Sequence, residues 1–448
     1  MSTATTLPPS PIVGTPPRRP VSVGSERLNS SGFVLACLVL MTVFVDINAA
    51  IRLMFGSQRI GSPLIFILCL STFIAYRFQF RRGLGKAGMI YTAMFLIYLL
   101  FGTVVLLVDF SDVAVYQAFY FLQMNLSSVV IMLALAPAAR NAVLAKKGHR
   151  MIMAGFLVLM ASVLLLFYAK FAGTAIYATH ELTAEIKSQF TAGRAIGFFT
   201  NANQAGMAMC VAAAFGFATL VGTKRRLFVM AGIAAAGVAV VATYSRSSML
   251  VFGVVAIVQI VTSNVFKNKA VILSSLVAVS AFVWFLSSGY ESLNDLTVQQ
   301  QKRLASFTSM AKGDFSNENT GHRFAVAKTG IEYWLRSPVF GHGLGTGRSI
   351  DMGMGVTALG PHNQFILLLI EGGAPTLILF IIAGVVAWTR AMRCKVPQVR
   401  TLAIGCLAVY TANCFTSHTI LLQNIYAAAM GIVFGCLSAA DVIGKGRR

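Results

Sequence analysis

The chain has 448 residues, of which 57% are hydrophobic and only 11% are charged, with a mean hydropathy of +0.75. This balance leaves too little polar surface to solvate a globule of this size, so it excludes an ordinary water-soluble domain. The formal net charge is +22, but the basic residues lie in short clusters between apolar segments, which argues against a nucleic-acid partner. The composition predicts an all-α membrane protein.

The first 31 residues contain six of the 12 prolines together with many Ser and Thr, a composition that cannot bury a core. We expect residues 1–31 to be a disordered cytoplasmic tail rather than a signal peptide, because the first apolar segment comes late.

Twelve apolar segments follow that are long enough to cross the hydrocarbon of a bilayer, which requires about 20 residues. They lie near residues 33–51, 60–76, 87–108, 113–137, 151–169, 204–222, 227–244, 247–266, 270–288, 363–389, 401–417 and 420–440. The sequence therefore predicts about 12 transmembrane helices, nine of them in residues 32–288 and three in residues 362–448.

The distribution of Lys and Arg tests this count, because cytoplasmic loops carry an excess of these residues. The even-numbered loops and the tails hold 23 of the 36 basic residues but only two of the 14 acidic ones, Glu26 and Asp441. This alternation predicts a multi-pass protein of a bacterial inner membrane with both termini in the cytoplasm.

Two exterior loops are long, residues 170–203 and residues 289–361, and long loops are usually functional. In the second, Phe324, Ala327, Ile331 and Trp334 recur at helical spacing, and Pro338 follows where a helix would end. We expect a partly helical periplasmic loop before span ten that lies against the membrane as a lid.

The glycine-rich sequence from Gly341 to Gly347 resembles a dinucleotide fingerprint, but it lacks the strand that such a fingerprint must follow. Two interpretations remain for it. It is either a flexible connector that re-enters the membrane or a nest of backbone N–H groups that cradles a phosphate.

Four basic side chains lie at exterior ends of spans, where the protein otherwise avoids positive charge: Arg194, Arg246, Arg323 and His362. Any one Arg there could be an interfacial side chain that reaches toward water. Several together predict an anionic partner, because the planar guanidinium suits a phosphate or diphosphate. His362 has the side chain best able to exchange protons near neutral pH.

Further candidate residues accompany these four. Asn203 and Asn363 supply amides at the entrances of spans six and ten, and His418 lies in a short exterior turn. Glu371 would lie about 13 Å deeper than His362 on a continuous helix, so it either links two helices or supports the site. No carboxylates or histidines have metal-ligand spacing on one exterior element, so we predict no metal and no cofactor.

These segments resemble the bacterial O-antigen ligase and polymerase family over about Arg194 to Thr376. His362 and Asn363, followed by nine residues and then Gly373, resemble the ligase pattern. The sequence around Arg194 and Asn203, the turn Ser245-Arg246, and Arg323 to Trp334 before Pro338 are also similar to the family.

The resemblance implies a metal-independent glycosyltransferase that uses a glycan linked to undecaprenyl diphosphate outside the membrane. It implies that Arg246 and Arg323 hold the diphosphate and that His362 serves catalysis, while Arg194, Asn203, Asn363, His418 and Glu371 are candidates for binding substrate. The acceptor would be either lipid A-core, as in a ligase, or a growing polysaccharide, as in a polymerase. The alternatives are a lipid-linked oligosaccharide flippase or other transporter, and a non-catalytic scaffold.

Overall fold

The computed structural model describes residues 27–47, 61–108, 112–172, 194–199, 201–262, 323–348 and 360–445, with a few positions between 301 and 313. Within these ranges the chain folds into α-helices joined by short turns, and no strand occurs there. We number the helices α1 Ser30–Phe44, α2 Gly61–Ala75, α3 Phe80–Val108, α4 Asp112–Leu144, α5 Gly148–Ala172, α6 Ala202–Gly222, α7 Arg226–Ala242, α8 Arg246–Thr262, α9 Arg323–Trp334, α10 Gln364–Arg393, α11 Pro397–Cys414 and α12 Asn424–Lys445.

The structure confirms the predicted all-α fold for the residues that it describes, and its apolar helices are those of a membrane protein. Eleven of the 12 predicted spans overlap these helices, and the segment 270–288 lies outside the described residues. Among the described helices, six are long and apolar enough to cross a membrane: α3, α4, α5, α6, α10 and α12. Since α1, α2, α7 and α8 are shorter apolar helices, the count of 12 spans stays a prediction.

Helix α6 is the central helix of the bundle, since 89% of its most apolar 18-residue window is buried. It packs against α5, α7, α8 and α11, while α12 packs along α3 and α4. Glycines allow the helices to approach closely, as where Gly216 of α6 faces Phe156 and Ile233. Large apolar side chains on the outside of the bundle are exposed, for example Leu100 at 69% and Leu164 at 70%, and they form a surface that is compatible with lipid.

The two ends of the bundle differ in charge. One end, which we call the basic end, is held together by Ser438 Oγ donating to Arg82 O at 2.7 Å and by Gln398 with His149 at 2.9 Å. It carries most of the clusters used for the topology prediction: Arg77, Arg81, Arg82, Lys86, Arg140, Lys146, Lys147, Arg150, Lys224, Arg225, Arg226, Arg390, Arg393, Lys395 and Arg400. The opposite end, where α6, α8, α10 and α12 begin, holds the candidate site.

Helix α9 lies where the sequence predicts a helix before span ten, and it ends before Pro338. Its buried residues are Val326 and Gly330, whereas Phe324 and Ile331 are exposed. A Cβ on Gly330 would come within 2.9 Å of Ile366, so α9 lies directly on the first turns of α10. The exposed apolar face is compatible with a helix lying on a membrane surface, which stays a prediction.

Candidate functional site

Arg194 joins the start of α6 to the turn between α7 and α8. Its side chain is only 5% exposed, its Nε donates to Thr243 O at 2.8 Å, and its Nη2 donates to Asn203 Oδ1 at 3.1 Å. Ser245 Oγ donates to the same Asn203 oxygen at 2.9 Å. This burial rules out the interpretation of Arg194 as a side chain that reaches to water, and it makes the guanidinium a fixed part of the site end.

Arg246 is the first residue of α8, directly after this buried cluster. It is partly exposed, and its Nη1 donates to Ser306 Oγ at 2.7 Å, so it contacts the long loop. The preceding Tyr244 has a φ of 49°, a left-handed conformation that is uncommon for a bulky residue. Such strained turns are frequent at functional sites.

His362 lies at the entrance of α10 with a φ of 49°. It is therefore in the same left-handed conformation as Tyr244. Its ring faces that of His418, with ring centroids 5.1 Å apart in an edge-to-face arrangement. Arg323, the first residue of α9, is close enough for its charge to act on His362. The structure therefore brings together His362, Arg323 and His418 from three separate parts of the chain.

The environment keeps the His362 imidazole neutral. Burial, followed by the charge of Arg323, lowers the pKa of His362 from 6.5 to about 4. A neutral imidazole can accept a proton, and a permanent cation beside it can hold an anion. This pair supplies the two functions that a transfer reaction with an anionic leaving group requires.

Asn363 has a local structural role. Its Oδ1 accepts hydrogen bonds from the backbone N–H groups of Phe365 at 2.9 Å and Ile366 at 3.2 Å, which caps α10. Asn201 caps α6 in the same way, by accepting from Gln204 N at 2.9 Å. Capping explains why an Asn follows His362, and the predicted contact of Asn363 with substrate stays a prediction.

The glycine-rich segment is a packed loop, so our expectation of a flexible connector was wrong. Four consecutive backbone N–H groups, those of residues 342 to 345, donate within the protein: to Ile370 O at 2.7 Å, Glu371 O at 3.1 Å, Gly102 O at 2.8 Å and Glu371 Oε1 at 3.0 Å. Because these groups are already used, they cannot also cradle a phosphate, and the alternative interpretation is wrong too.

A break in α10 creates the acceptors for this loop. Gly373 has a φ of 68°, and Pro375 has no N–H, so the carbonyls of Ile370 and Glu371 lose their partners in the helix. The loop N–H groups replace those partners, and the freed Ala374 N donates to Pro338 O at 3.0 Å. A Cβ on Gly373 would lie 2.0 Å from Val339 O, so only glycine fits there.

Glu371 is buried, with 2% of the residue exposed, and it lies beside this break. Its Oε2 accepts the hydroxyl hydrogen of Tyr98 on α3, and its Oε1 accepts the N–H of Gly345. The structure thus supports the interpretation that Glu371 links helices, and its predicted contact with substrate stays untested. Sequence reasoning missed Tyr98, because no local signal connects residues 273 positions apart.

The described part of the chain contains no group of three or more His, Cys, Asp or Glu that could hold a metal ion. The absence of a metal and of a cofactor therefore stays a prediction.

Comparison with known proteins agrees with the resemblance at the level of the family. Residues 231–381 match the family described as O-antigen ligase, Wzy_C. No curated protein matches the chain. The matched segment includes Arg246, Arg323, His362, Asn363 and Gly373.

Proposed function

We propose, from the match of residues 231–381 to the family described as O-antigen ligase, that this chain transfers a glycan from undecaprenyl diphosphate to an acceptor hydroxyl. The observation that carries the proposal is the position of His362 at the entrance of α10, in ring contact with His418 and within electrostatic reach of Arg323. The family makes a glycosyltransferase of ligase or polymerase type the expected activity.

In the proposed reaction the acceptor oxygen attacks the anomeric carbon of the donor. The bond from that carbon to the diphosphate oxygen breaks, and the electron pair leaves with the diphosphate. Arg323 and Arg246 stabilise the charge that develops on this leaving group, the electrostatic contribution that usually dominates such a step. A single displacement of this kind inverts the anomeric configuration.

His362 takes the proton of the acceptor hydroxyl. Burial is the larger cause of the low pKa of His362 and the charge of Arg323 is the second, so a bound diphosphate that offsets this charge would raise the pKa above about 4. Donor binding would thereby make His362 a stronger base when the leaving group is in place. His418, in ring contact with His362, is suited to orient the imidazole.

Arg194 supports this arrangement from beneath. Through Thr243 and Asn203 it fixes the turn that carries Arg246, so we assign it to the diphosphate site as a supporting cation. Because Asn203 Oδ1 already accepts from Arg194 Nη2, we expect the exposed side-chain amide group of Asn203 to contact the substrate through its NH2.

The location and the acceptor follow from the same proposal. With the basic end in the cytoplasm, the site end faces the periplasm of a bacterial inner membrane, where a lipid-linked glycan must carry its own leaving group. The His362-Asn363 to Gly373 spacing favours a ligase with lipid A-core as acceptor over an exopolysaccharide polymerase. The family match does not favour the flippase or transporter alternative.

The proposal is tested with purified protein in lipid nanodiscs supplied with an undecaprenyl-diphosphate-linked glycan. Transfer to added lipid A-core identifies a ligase, and a ladder of products from donor alone identifies a polymerase. Failure to release undecaprenyl diphosphate under both conditions would refute the proposed glycosyltransferase activity.

Matched controls separate the site from general damage. Arg323→Ala should abolish transfer, whereas Lys328→Ala, which removes an exposed cation from the same helix, should not. His362→Ala should likewise abolish transfer, whereas His149→Ala at the basic end should preserve it. Equal losses in each pair would contradict the proposed roles.

A further inference from the structure

Glu371 and Tyr98 are buried polar groups that the proposed reaction does not use. Both are 2% exposed, and the Tyr98 hydroxyl donates to Glu371 Oε2. Burying a carboxyl group inside a helix bundle is costly, and such groups are usually retained for a function. Glu371 contacts both Tyr98 and the glycine-rich loop.

The second oxygen of Glu371 holds the glycine-rich loop. Oε1 accepts the N–H of Gly345 at 3.0 Å, and the backbone carbonyl of Glu371 accepts the N–H of Gly343 at 3.1 Å. One residue of α10 therefore fastens two points of the loop, while Tyr98 of α3 fixes the orientation of its side chain.

The loop in turn holds helix α9. His342 donates its backbone N–H to Ile370 O at 2.7 Å, and its ring Nε2 lies 2.9 Å from Tyr333 O near the end of α9. The rings of His342 and Tyr333 are in close contact, with centroids 4.0 Å apart and their planes tilted by 34°. Trp334 Nε1 also donates to Pro338 O at 3.0 Å.

Helix α9 begins with Arg323, which acts on His362, and it rests on α10 at Gly330. The angle of α9 is therefore set at its far end, where the loop meets the break in α10. We propose that Glu371, oriented by Tyr98, is a positioning residue that keeps Arg323 beside His362 through the 338–345 loop. The inference rests on the proposed function, because it concerns the same two site residues.

The test measures the titration of His362 itself, by histidine C2–H exchange read by mass spectrometry on the full-length protein in nanodiscs. The charged and titratable groups known to face His362 are Arg323 from α9 and His418 from the turn before α12. Burial, the larger cause of the low pKa of His362, remains in the variants, but if Arg323 moves away its charge no longer lowers this pKa, which then rises above about 4. Arg323→Gln is the positive control for this rise.

Two variants weaken the hydrogen bond between Tyr98 and Glu371 without creating a large cavity in the core. Glu371→Gln keeps the size of the side chain but removes one acceptor, and Tyr98→Phe removes only the hydroxyl. The matched control is Tyr91→Phe on the same helix, whose hydroxyl pairs with that of Tyr410 at 2.7 Å, away from the loop. If Glu371→Gln fails to fold, Tyr98→Phe alone carries the test.

We expect Glu371→Gln and Tyr98→Phe to raise the pKa of His362 and to speed amide exchange in residues 342–345, with Tyr91→Phe like the wild type. In transfer assays kcat should fall roughly 10- to 100-fold, as displacement of a positioned group does. An unchanged pKa of His362 in both variants would overturn the inference, whatever their stability. The expected pKa rise in a protein that transfers no glycan would refute the proposed function and support the positioning contact.

Discussion

Replacing Gly373 by Ala tests whether the break in α10 and the glycine-rich loop form one unit. An Ala at a φ of 68° costs about 1–2 kcal/mol in backbone energy. Its Cβ would lie 2.0 Å from Val339 O, so the loop has to move. That movement gives up the hydrogen bonds from His342 N, Gly343 N and Ala374 N, each worth about 1 kcal/mol.

The expected destabilisation by Gly373→Ala is therefore about 4–5 kcal/mol. Gly384 of the same helix is the matched control, because a Cβ there meets nothing within 4 Å. Gly384→Ala should be neutral or stabilise by up to about 1 kcal/mol. Thermal unfolding in detergent, followed by circular dichroism, compares the two variants. A Tm of Gly373→Ala equal to that of Gly384→Ala would refute the reasoning.

Three further predictions concern the site. His362 is neutral above a pH of about 4, so kcat/KM for transfer, which reports the free enzyme, should be retained at neutral pH and fall as the pH drops through about 4. In Arg323→Gln the pKa of His362, measured by histidine C2–H exchange, should be higher, and an unchanged pKa would contradict the electrostatic coupling. Arg194→Lys should lower Tm markedly, because a single ammonium cannot match the two donors aimed at Thr243 O and Asn203 Oδ1; a wild-type Tm would contradict the anchoring role. Asn363→Ala should cost about 1 kcal/mol of stability through the lost cap, and Asn363→Asp should restore it. Restored Tm without restored transfer would show that the amide also contacts substrate.

Most of the helices could be predicted because apolar length and charge alternation are signals within the sequence. The basic clusters such as Arg81 and Lys147 gather at one end of the bundle, as the alternation required. Helix ends were less certain, since α4 continues to Leu144, past the predicted end near residue 137 and through Pro137. Apolar content does not mark where a helix leaves the membrane.

The site could be predicted only in part. The charge pattern identifies Arg323 and His362 as exceptions and the exterior turn identifies His418 as a further candidate, and the structure brings His362 into ring contact with His418 and within electrostatic reach of Arg323. The loop was misjudged, because glycines predict freedom of the backbone and not the partners that fix it. Gly373 and Pro375 are residue types that break a helix, but the sequence does not show which segment packs against the break in α10.

Long-range partners explain the rest. Glu371 was recognised as too costly to leave unpaired, yet Tyr98 lies on a helix that no spacing rule connects to it. Arg194 is a candidate for binding the anionic substrate in the sequence, whereas its burial depends on Thr243 and Asn203 from two other elements. Such contacts exist only once the helices are packed.

The most direct test of the central claim is the release of undecaprenyl diphosphate from a lipid-linked glycan by the purified protein at neutral pH. We predict release coupled to transfer with inverted anomeric configuration in the wild type, and none in His362→Ala or Arg323→Ala that retain wild-type Tm. Release at the wild-type rate by folded His362→Ala and Arg323→Ala proteins would contradict the assignment of this site.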